Sequence, residues 1–505
     1  MPASKRVIFL FLLILLLFVG IRISASFTHT FWYDEAFSIL ISQTGPEGIL
    51  AGTLNADASS SAPDIHPPAY YYLLHAWMHL FGTSFASARA LTILLGVGVL
   101  ILLFLIVREL SDEKTALLAA LLITLSPFQV QYTTEIRMYA LLECLLLLAT
   151  FAMLKGSSTR RWTWWLVFAF AAAGAQYTHN LAVFYLLPLA LTSLFKRERR
   201  VVLSTLLAGI AAIILYIPWL INIPAQFSTV QQHYWVTRPT LIAFIDLVLR
   251  YVPNLPLPDA WLLAGMFSAF LCVILAILQT LKTVIKNKEG YQIGLRLGFL
   301  AFFPPILLWV FSQWTPVYLD RALLTSQAIF CAWLAWVLCK TELPKAIRIG
   351  AILFLAIGIG MGLRQVYSFN GYGEDGLKTV NAVLADERQP GDVVVNSNKL
   401  TYLPLFYYDK ALPMVYVTDP PGGSTDTLLP ATREVLGVRA VPDIQSAAEG
   451  VERMWFVILQ ESVDEYIDAG YATHADLAYL EEHFDLVSSR TYADVLLYQF
   501  ERKSE

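Results

Sequence analysis

Long apolar runs recur from residue 7 to residue 367, and no other feature constrains the chain as much. A helix needs about 20 apolar residues to cross the hydrocarbon of a bilayer. Repeated runs of this kind make a polytopic membrane protein, and 57% hydrophobic against 15% charged residues agrees. The first span runs from Val7 to about Ser24. Ten more are expected at roughly 88–107, 115–127, 138–154, 162–178, 181–195, 201–221, 260–281, 297–312, 322–339 and 349–367, several of them short for a full crossing. Lys5 and Arg6 precede the first run, and no small-residue cleavage site stands out before Phe31. It is therefore expected to remain as a helix, not to leave as a signal peptide.

Basic residues orient the spans. With the amino terminus in the cytoplasm, Lys5, Arg6 and the inner loops 108–114, 155–161, 196–200, 282–296 and 340–348 hold 18 Lys and Arg. The outer side holds seven: Arg22, Arg89, Arg137, Arg238, Arg250, Arg321 and Arg364. All seven are arginine, whose planar fork suits phosphate or carboxylate. An odd number of spans then puts the chain beyond 367 on the extracytoplasmic side of a cell membrane.

Charge divides the chain near the same point. Residues 1–369 carry 25 Lys+Arg against 16 Asp+Glu; residues 370–505 carry 10 against 23. The tail reads as a soluble α/β domain. Glu374 to Arg388 is helical in pattern, as is Ser462 to His483; strands are expected at 392–395, 414–417, 455–459 and 494–500. No G-x-G-x-x-G or P-loop suggests a nucleotide, and Gly422-Gly423 reads as a turn. No basic patch outside the short loops points to nucleic acid. Cys144, Cys272, Cys331 and Cys339 all fall in apolar spans and read as small core residues.

Five polar clusters map to the outer face. Asp34-Glu35 follows the first span within Phe31-Trp32-Tyr33-Asp34-Glu35-Ala36, opening a long loop over 25–87. Asp64-Ile65-His66-Pro67-Pro68 leads into an aromatic segment, Tyr70 to Phe81, too short to cross and suited to lie in the interface. His75 and His79 are four apart but lack the Glu of a zinc protease motif. The other clusters are Tyr132 to Tyr139, Gln176 to Asn180, and Tyr318-Leu319-Asp320-Arg321. Glu143 lies inside a span, where hydrogen bonding between helices is the plain reading. A carboxylate at the membrane edge can take a proton from an acceptor, and nearby arginines can hold a phosphate leaving group. Both are needed to move a sugar from a lipid phosphate whose tail stays in the bilayer.

The W-Y-D-E-A segment, the H-P-P before the interfacial helix, the S-P-F-x(3)-Y-x-x-E-x-R-M-Y stretch (Ser126 to Tyr139) and the Q-Y-T-H loop resemble family 39 glycosyltransferases. These GT-C-fold membrane enzymes include protein O-mannosyltransferases and the lipid A aminoarabinose transferase. The resemblance implies a GT-C helical domain over 1–369, a soluble extracytoplasmic α/β domain over 370–505, and inverting transfer of a hexose or pentose from a polyprenyl-phosphate donor. By that resemblance Asp34 is the base or the acid that binds the acceptor, Glu35 supports it and Glu135 is the second acid of the site. Arg137 and Arg321 then face the phosphate, with His66, Tyr139, His179 and Asp320 around the donor head group. The acceptor is left open between lipid, glycan and protein, and a divalent metal is left open as well. A transporter or flippase of a lipid-linked saccharide is the alternative; it would carry paired charges or broken helices inside the spans.

Overall fold

The structure is a computed structural model and describes residues 5–28, 31–54, 66–196, 198–224, 226, 236–286, 290–368, 374–418, 428 and 430–503. Asp64, Ile65 and the Gly422-Gly423 turn lie outside the described residues. The membrane part is helical: α1 Lys5–Thr28, α2 Tyr33–Gln43, α3 Gly45–Leu54, α4 Ala69–Phe81, α5 Phe85–Leu110, α6 Glu113–Leu125, α7 Pro127–Tyr132 and α8 Tyr139–Thr159. There follow α9 Thr163–Thr178, α10 Val183–Leu191, α11 Arg199–Leu220, α12 Ile242–Tyr251, α13 Asp259–Ile285, α14 Tyr291–Phe311, α15 Leu324–Lys340 and α16 Lys345–Ser368.

Every expected span falls on a helix, and the chain is a multi-pass membrane protein. Eight helical stretches among the described residues are long and apolar enough to cross: α1, α5, α8, α11, α13, α14, α16 and residues 320–340, which include α15. The count of eleven is not reached on length. The other three expected spans are α6, with 13 residues, α9, with 16, and the apolar stretch 180–195. Contacts at their ends show how they run. Lys155 reaches Glu109 at 3.0 Å, Arg200 Nη2 donates to the Arg160 carbonyl at 3.0 Å, and Lys340 pairs with Asp112, all on one face. On the other face Tyr216 Oη donates to Asn180 Oδ1 at 2.8 Å, and Tyr367 Oη to the Ile21 carbonyl at 2.8 Å. Each of the three shorter stretches joins one face of the bundle to the other. That last contact also sets the carboxyl ends of α1 and α16 side by side.

The tail supplies α17 Glu374–Glu387, β1 Val393–Asn396, α18 Lys399–Tyr408, β2 Met414–Val417, α19 Pro430–Leu436, β3 Ala440–Val441, α20 Ile444–Ala448, β4 Arg453–Leu459, α21 Gln460–Asp468, α22 Ala475–His483, β5 Phe484–Tyr492 and β6 Val495–Arg502. The sheet runs β3-β2-β1-β4-β6-β5. β1 to β4 are parallel, and β6 and β5 close one edge antiparallel. Successive side chains alternate across a strand. Trp455, Val457 and Leu459 of β4 therefore join a core with α2, α4, α17 and α18, while Met454, Phe456 and Ile458 pack toward α20–α22. Burial on both faces explains the unbroken apolar run of β4. The helix expected over 462–483 is two helices, broken where Gly470 takes a left-handed φ of 91°.

Charge divides the chain near residue 370, but the core does not. One apolar cluster holds Phe37, Tyr70, Tyr71 and Tyr139 from the first part together with Leu377, Tyr402, Trp455 and Leu497 from the tail.

Packing at the face that carries the tail is close enough to test. A Cβ added at Gly362 of α16 would lie 1.8 Å from the Pro253 carbonyl oxygen and 2.6 Å from Pro127 Cγ, whereas one at Gly360 meets nothing within 4 Å. Gly362→Ala is expected to lower the thermal midpoint of the detergent-solubilised protein by several degrees, with Gly360→Ala unchanged. Equal midpoints would show that the backbone at Pro253 gives way freely.

Candidate active site

The site begins where α1 turns into α2. Asp34 and Glu35 occupy the first turn of α2, where acidic side chains suit the helix dipole. Adjacent residues on a helix point about 100° apart, and the two carboxylates have different partners.

Glu35 is buried and fully engaged. Arg89 of α5 donates from Nε to Oε1 at 3.1 Å and from Nη2 to Oε2 at 2.7 Å, and the Ile136 backbone N–H donates to Oε1 at 3.0 Å. Arg89 Nη1 also donates to the Ser26 carbonyl at 2.5 Å. This bidentate pair ties the end of α1, α2, α5 and the turn before α8 together. Sequence reading counted Arg89 among the outer arginines without placing it in the site. The run of outer residues that are all arginine was the available signal.

Asp34 faces the other way. Its Oδ2 lies 3.0 Å from Arg321 Nη1 and 3.6 Å from Arg137 Nε, the first a hydrogen bond and the second an ion pair. Arg137 Nη1 donates to Ser38 Oγ at 3.3 Å, one turn along α2. The Arg321 guanidinium sits 5.3 Å from the centre of the Tyr139 ring. Asp320 accepts the Arg321 backbone N–H on Oδ1 at 3.0 Å and pairs through Oδ2 with Arg250 of α12, a second arginine that sequence reading left out of the site.

The remaining expected residues close one side. The Tyr139 ring is 6.0 Å from that of His179, and His179 is 5.0 Å from His66, edge to face. His179 Nδ1 accepts the Leu181 N–H at 3.1 Å, so a neutral ring carries its proton on Nε2. Glu135 is buried in the turn before α8, and its Oε2 has no hydrogen-bond partner among the described residues. Burial pushes its carboxyl up to about 8; Asp34 and Glu35 add to the rise, and Arg321 and Arg137 oppose it. No three His, Cys, Asp or Glu side chains among the described residues come close enough to hold a metal ion. His75 Nδ1 instead lies 2.8 Å from the Ser42 carbonyl.

Below the site, polar groups brace the helices. Gln129 Nε2 lies within hydrogen-bond reach of Glu143 Oε1 at 2.8 Å and of Gln327 Oε1 and the Leu324 carbonyl, both at 3.1 Å. Arg22 donates to Thr133 Oγ1 at 3.0 Å and to the Thr124 carbonyl at 2.9 Å. The site thus stands on fixed helix ends and sets one carboxylate against two guanidiniums at the edge of the apolar bundle. Such a set can take a proton and hold an anion at the same place.

Two outcomes follow from this geometry. Arg89→Leu leaves Glu35 buried without its cation and is expected to cost about 3–5 kcal/mol of stability. Glu35→Gln combined with Arg89→Leu should recover part of that loss in a thermal unfolding series, and a single variant as stable as wild type would remove the clamp. Glu135 titrates from 4.5 in the unfolded chain to about 8 when folded. The stability it contributes is present below about 4.5 and is lost as pH rises through about 8. Relative to Glu135→Gln, wild type should lose thermal stability steadily between about pH 5 and about pH 9. Parallel curves for the two proteins would mean that Glu135 is ionised throughout.

Residues 65–222 match the family model described as Dolichyl-phosphate-mannose-protein mannosyltransferase. Among solved structures, ArnT from Cupriavidus metallidurans bound to undecaprenyl phosphate aligns over 98% of this chain and 98% of its own, with TM-score 0.63 and 14% identity. AglB, the oligosaccharyltransferase of Archaeoglobus fulgidus in complex with an inhibitory peptide and a dolichol-phosphate, aligns over 98% of this chain and 74% of its own, with TM-score 0.53 and 11% identity. Both likenesses show a shared GT-C fold. A low affinity tryptophan permease of Proteus vulgaris is 31% identical over 151 residues, and that match spans 26% of this chain and 35% of the permease.

Proposed function

We propose that this protein is a membrane glycosyltransferase that moves a sugar from a polyprenyl-phosphate donor to an acceptor at the extracytoplasmic face. The observation that carries the reading is Asp34 between Arg137 and Arg321, three residues brought together from segments far apart in sequence at one end of the bundle. The matching family model and the lipid phosphates named with ArnT and AglB support it.

In this reading the amino terminus is cytoplasmic, eleven helices cross, and the tail stands outside. Asp34 takes the proton of an acceptor hydroxyl or amine as that atom attacks the anomeric carbon. The bond from that carbon to the phosphate oxygen breaks, and its electron pair leaves on the phosphate. Each guanidinium has five N–H donors, enough for Arg137 and Arg321 to hold the departing phosphate while still orienting Asp34. Tyr139, His179 and His66 form an aromatic wall for the sugar, and Asp320 with Arg250 holds Arg321 in register. Glu35 acts as a positioning residue, and Glu135 as a neutral donor at the edge of the site. The sugar is a hexose or pentose, and the acceptor a lipid, glycan or protein. Arg22 and Glu143, set within the bundle, hydrogen-bond neighbouring segments, which does not favour a transport path.

The test is transfer from labelled polyprenyl-phosphate sugars, assayed with the purified full chain in nanodiscs. Asp34→Asn keeps the shape but cannot take a proton, and turnover at saturating donor should fall by about 10²–10⁴. Arg137→Lys should chiefly raise the donor concentration needed, because an ammonium cannot reproduce the fork. Near-normal turnover by a folded Asp34→Asn protein would remove Asp34 as the base.

A further inference from the structure

We infer that the soluble tail positions the Asp34 helix, and that Tyr407 of α18 is the residue through which it does so. The inference rests on the glycosyltransferase reading only for its catalytic consequence.

An aromatic chain leads from the tail to the clamp beside Asp34. Phe31, buried three residues before Asp34, lies 4.6 Å from the Tyr407 ring, 5.8 Å from Tyr408 and 5.9 Å from Phe85, centre to centre. The Phe85 ring in turn faces the Arg89 guanidinium at 5.3 Å. Arg89 is the partner of Glu35. Tyr407 adds polar contacts at the start of α5: its Oη accepts the Phe85 N–H at 3.0 Å and donates to the Thr83 carbonyl at 3.4 Å. One tail residue therefore touches both the segment that leads into α2 and the first residue of α5, the two helices that make the Glu35–Arg89 pair.

Two further contacts fix the rest of the loop region to the tail. Lys410 Nζ donates to Gln43 Oε1 at 2.9 Å, at the far end of α2, and Thr432 Oγ1 donates to the Gly52 carbonyl at 3.2 Å. Residues Asp34–Ser42 of α2 are all buried, and α18 of the tail packs against the helix. With the tail in place α2 has neighbours on every side. Without Tyr407 its first turn would keep the clamp but lose the aromatic packing that holds Phe31, two residues ahead of the helix. A displacement of about 1 Å at a reacting group costs on the order of 100-fold in rate.

The full chain in nanodiscs tests this with two independent readouts. Hydrogen exchange over residues 31–43 and 85–89 should accelerate in Tyr407→Ala while β1, β4 and β6 stay protected. Turnover at saturating donor should fall by about 10–100-fold with the donor requirement little changed. Tyr407→Phe, which keeps the ring on Phe31, should restore most of both. If Tyr407→Ala fails to fold, Tyr407→Leu, which removes the ring but keeps bulk, and Lys410→Ala carry the same test at smaller amplitude. Unchanged exchange over 31–43 would overturn the inference, as would equal loss of protection in the sheet, which marks unfolding of the tail. Faster exchange with normal turnover would overturn its catalytic consequence. If wild type transfers no sugar at all, the functional reading fails and the exchange data alone decide whether the tail holds α2.

Discussion

A carboxylate shut away from water at the head of α2 is the constraint on which the site depends. Burying a charge is expensive unless its partner is close and its oxygens are satisfied. Glu35 meets that demand with both guanidinium contacts of Arg89 and the Ile136 N–H, and each partner comes from a different segment. None of these segments can shift without exposing or orphaning an ion. The helical turn then dictates the rest: with Glu35 turned toward α5, its neighbour Asp34 points about 100° away, onto Arg137 and Arg321. A pair of adjacent acids is thus divided into one that anchors and one that is presented.

The same division explains why the site is built where helices begin. Arg137 stands one residue before Met138, which caps α8; Arg321 lies in the turn leading into α15; Arg89 is one turn into α5. Each arginine is placed by a helix whose other end lies across the bundle. The polar bracing by Arg22, Gln129 and Gln327 lies just beneath, so these ends hold their level relative to one another.

Much of this was legible in the sequence. The spans and the polar clusters at their ends depend on local composition, which a linear reading captures. Nothing local assigns Arg89 to Glu35 or Arg250 to Asp320, since each pair joins residues far apart in the chain and any outer arginine would have served equally. The strand β5 was missed because its residues, Phe484 to Tyr492, are mostly solvated and carry little alternation; it exists by pairing with β6. The two residues of β3 are too few to leave a pattern. The docking of the tail was hidden for a related reason. Its acidic surface announces a soluble domain, whereas the apolar residues that seat it on α2 and α4 look like those of any domain core.

The short helices bear on the membrane itself. At about 1.5 Å per residue, a helix of 13 residues spans about 20 Å, and one of 16 about 24 Å, against about 30 Å of hydrocarbon. Where such a helix crosses, as the eleven-span reading has it, the mismatch is met by thinning of the bilayer around the protein or by sinking of the helix ends below the headgroup plane. α6 leads directly into α7 and the turn carrying Glu135 and Arg137, and α9 ends at His179, so the mismatch is concentrated where the polar residues gather. In the glycosyltransferase reading, a phosphate attached to a long isoprenoid would then have less far to rise, and the polar cluster would meet it at the depth where its chain is already comfortable.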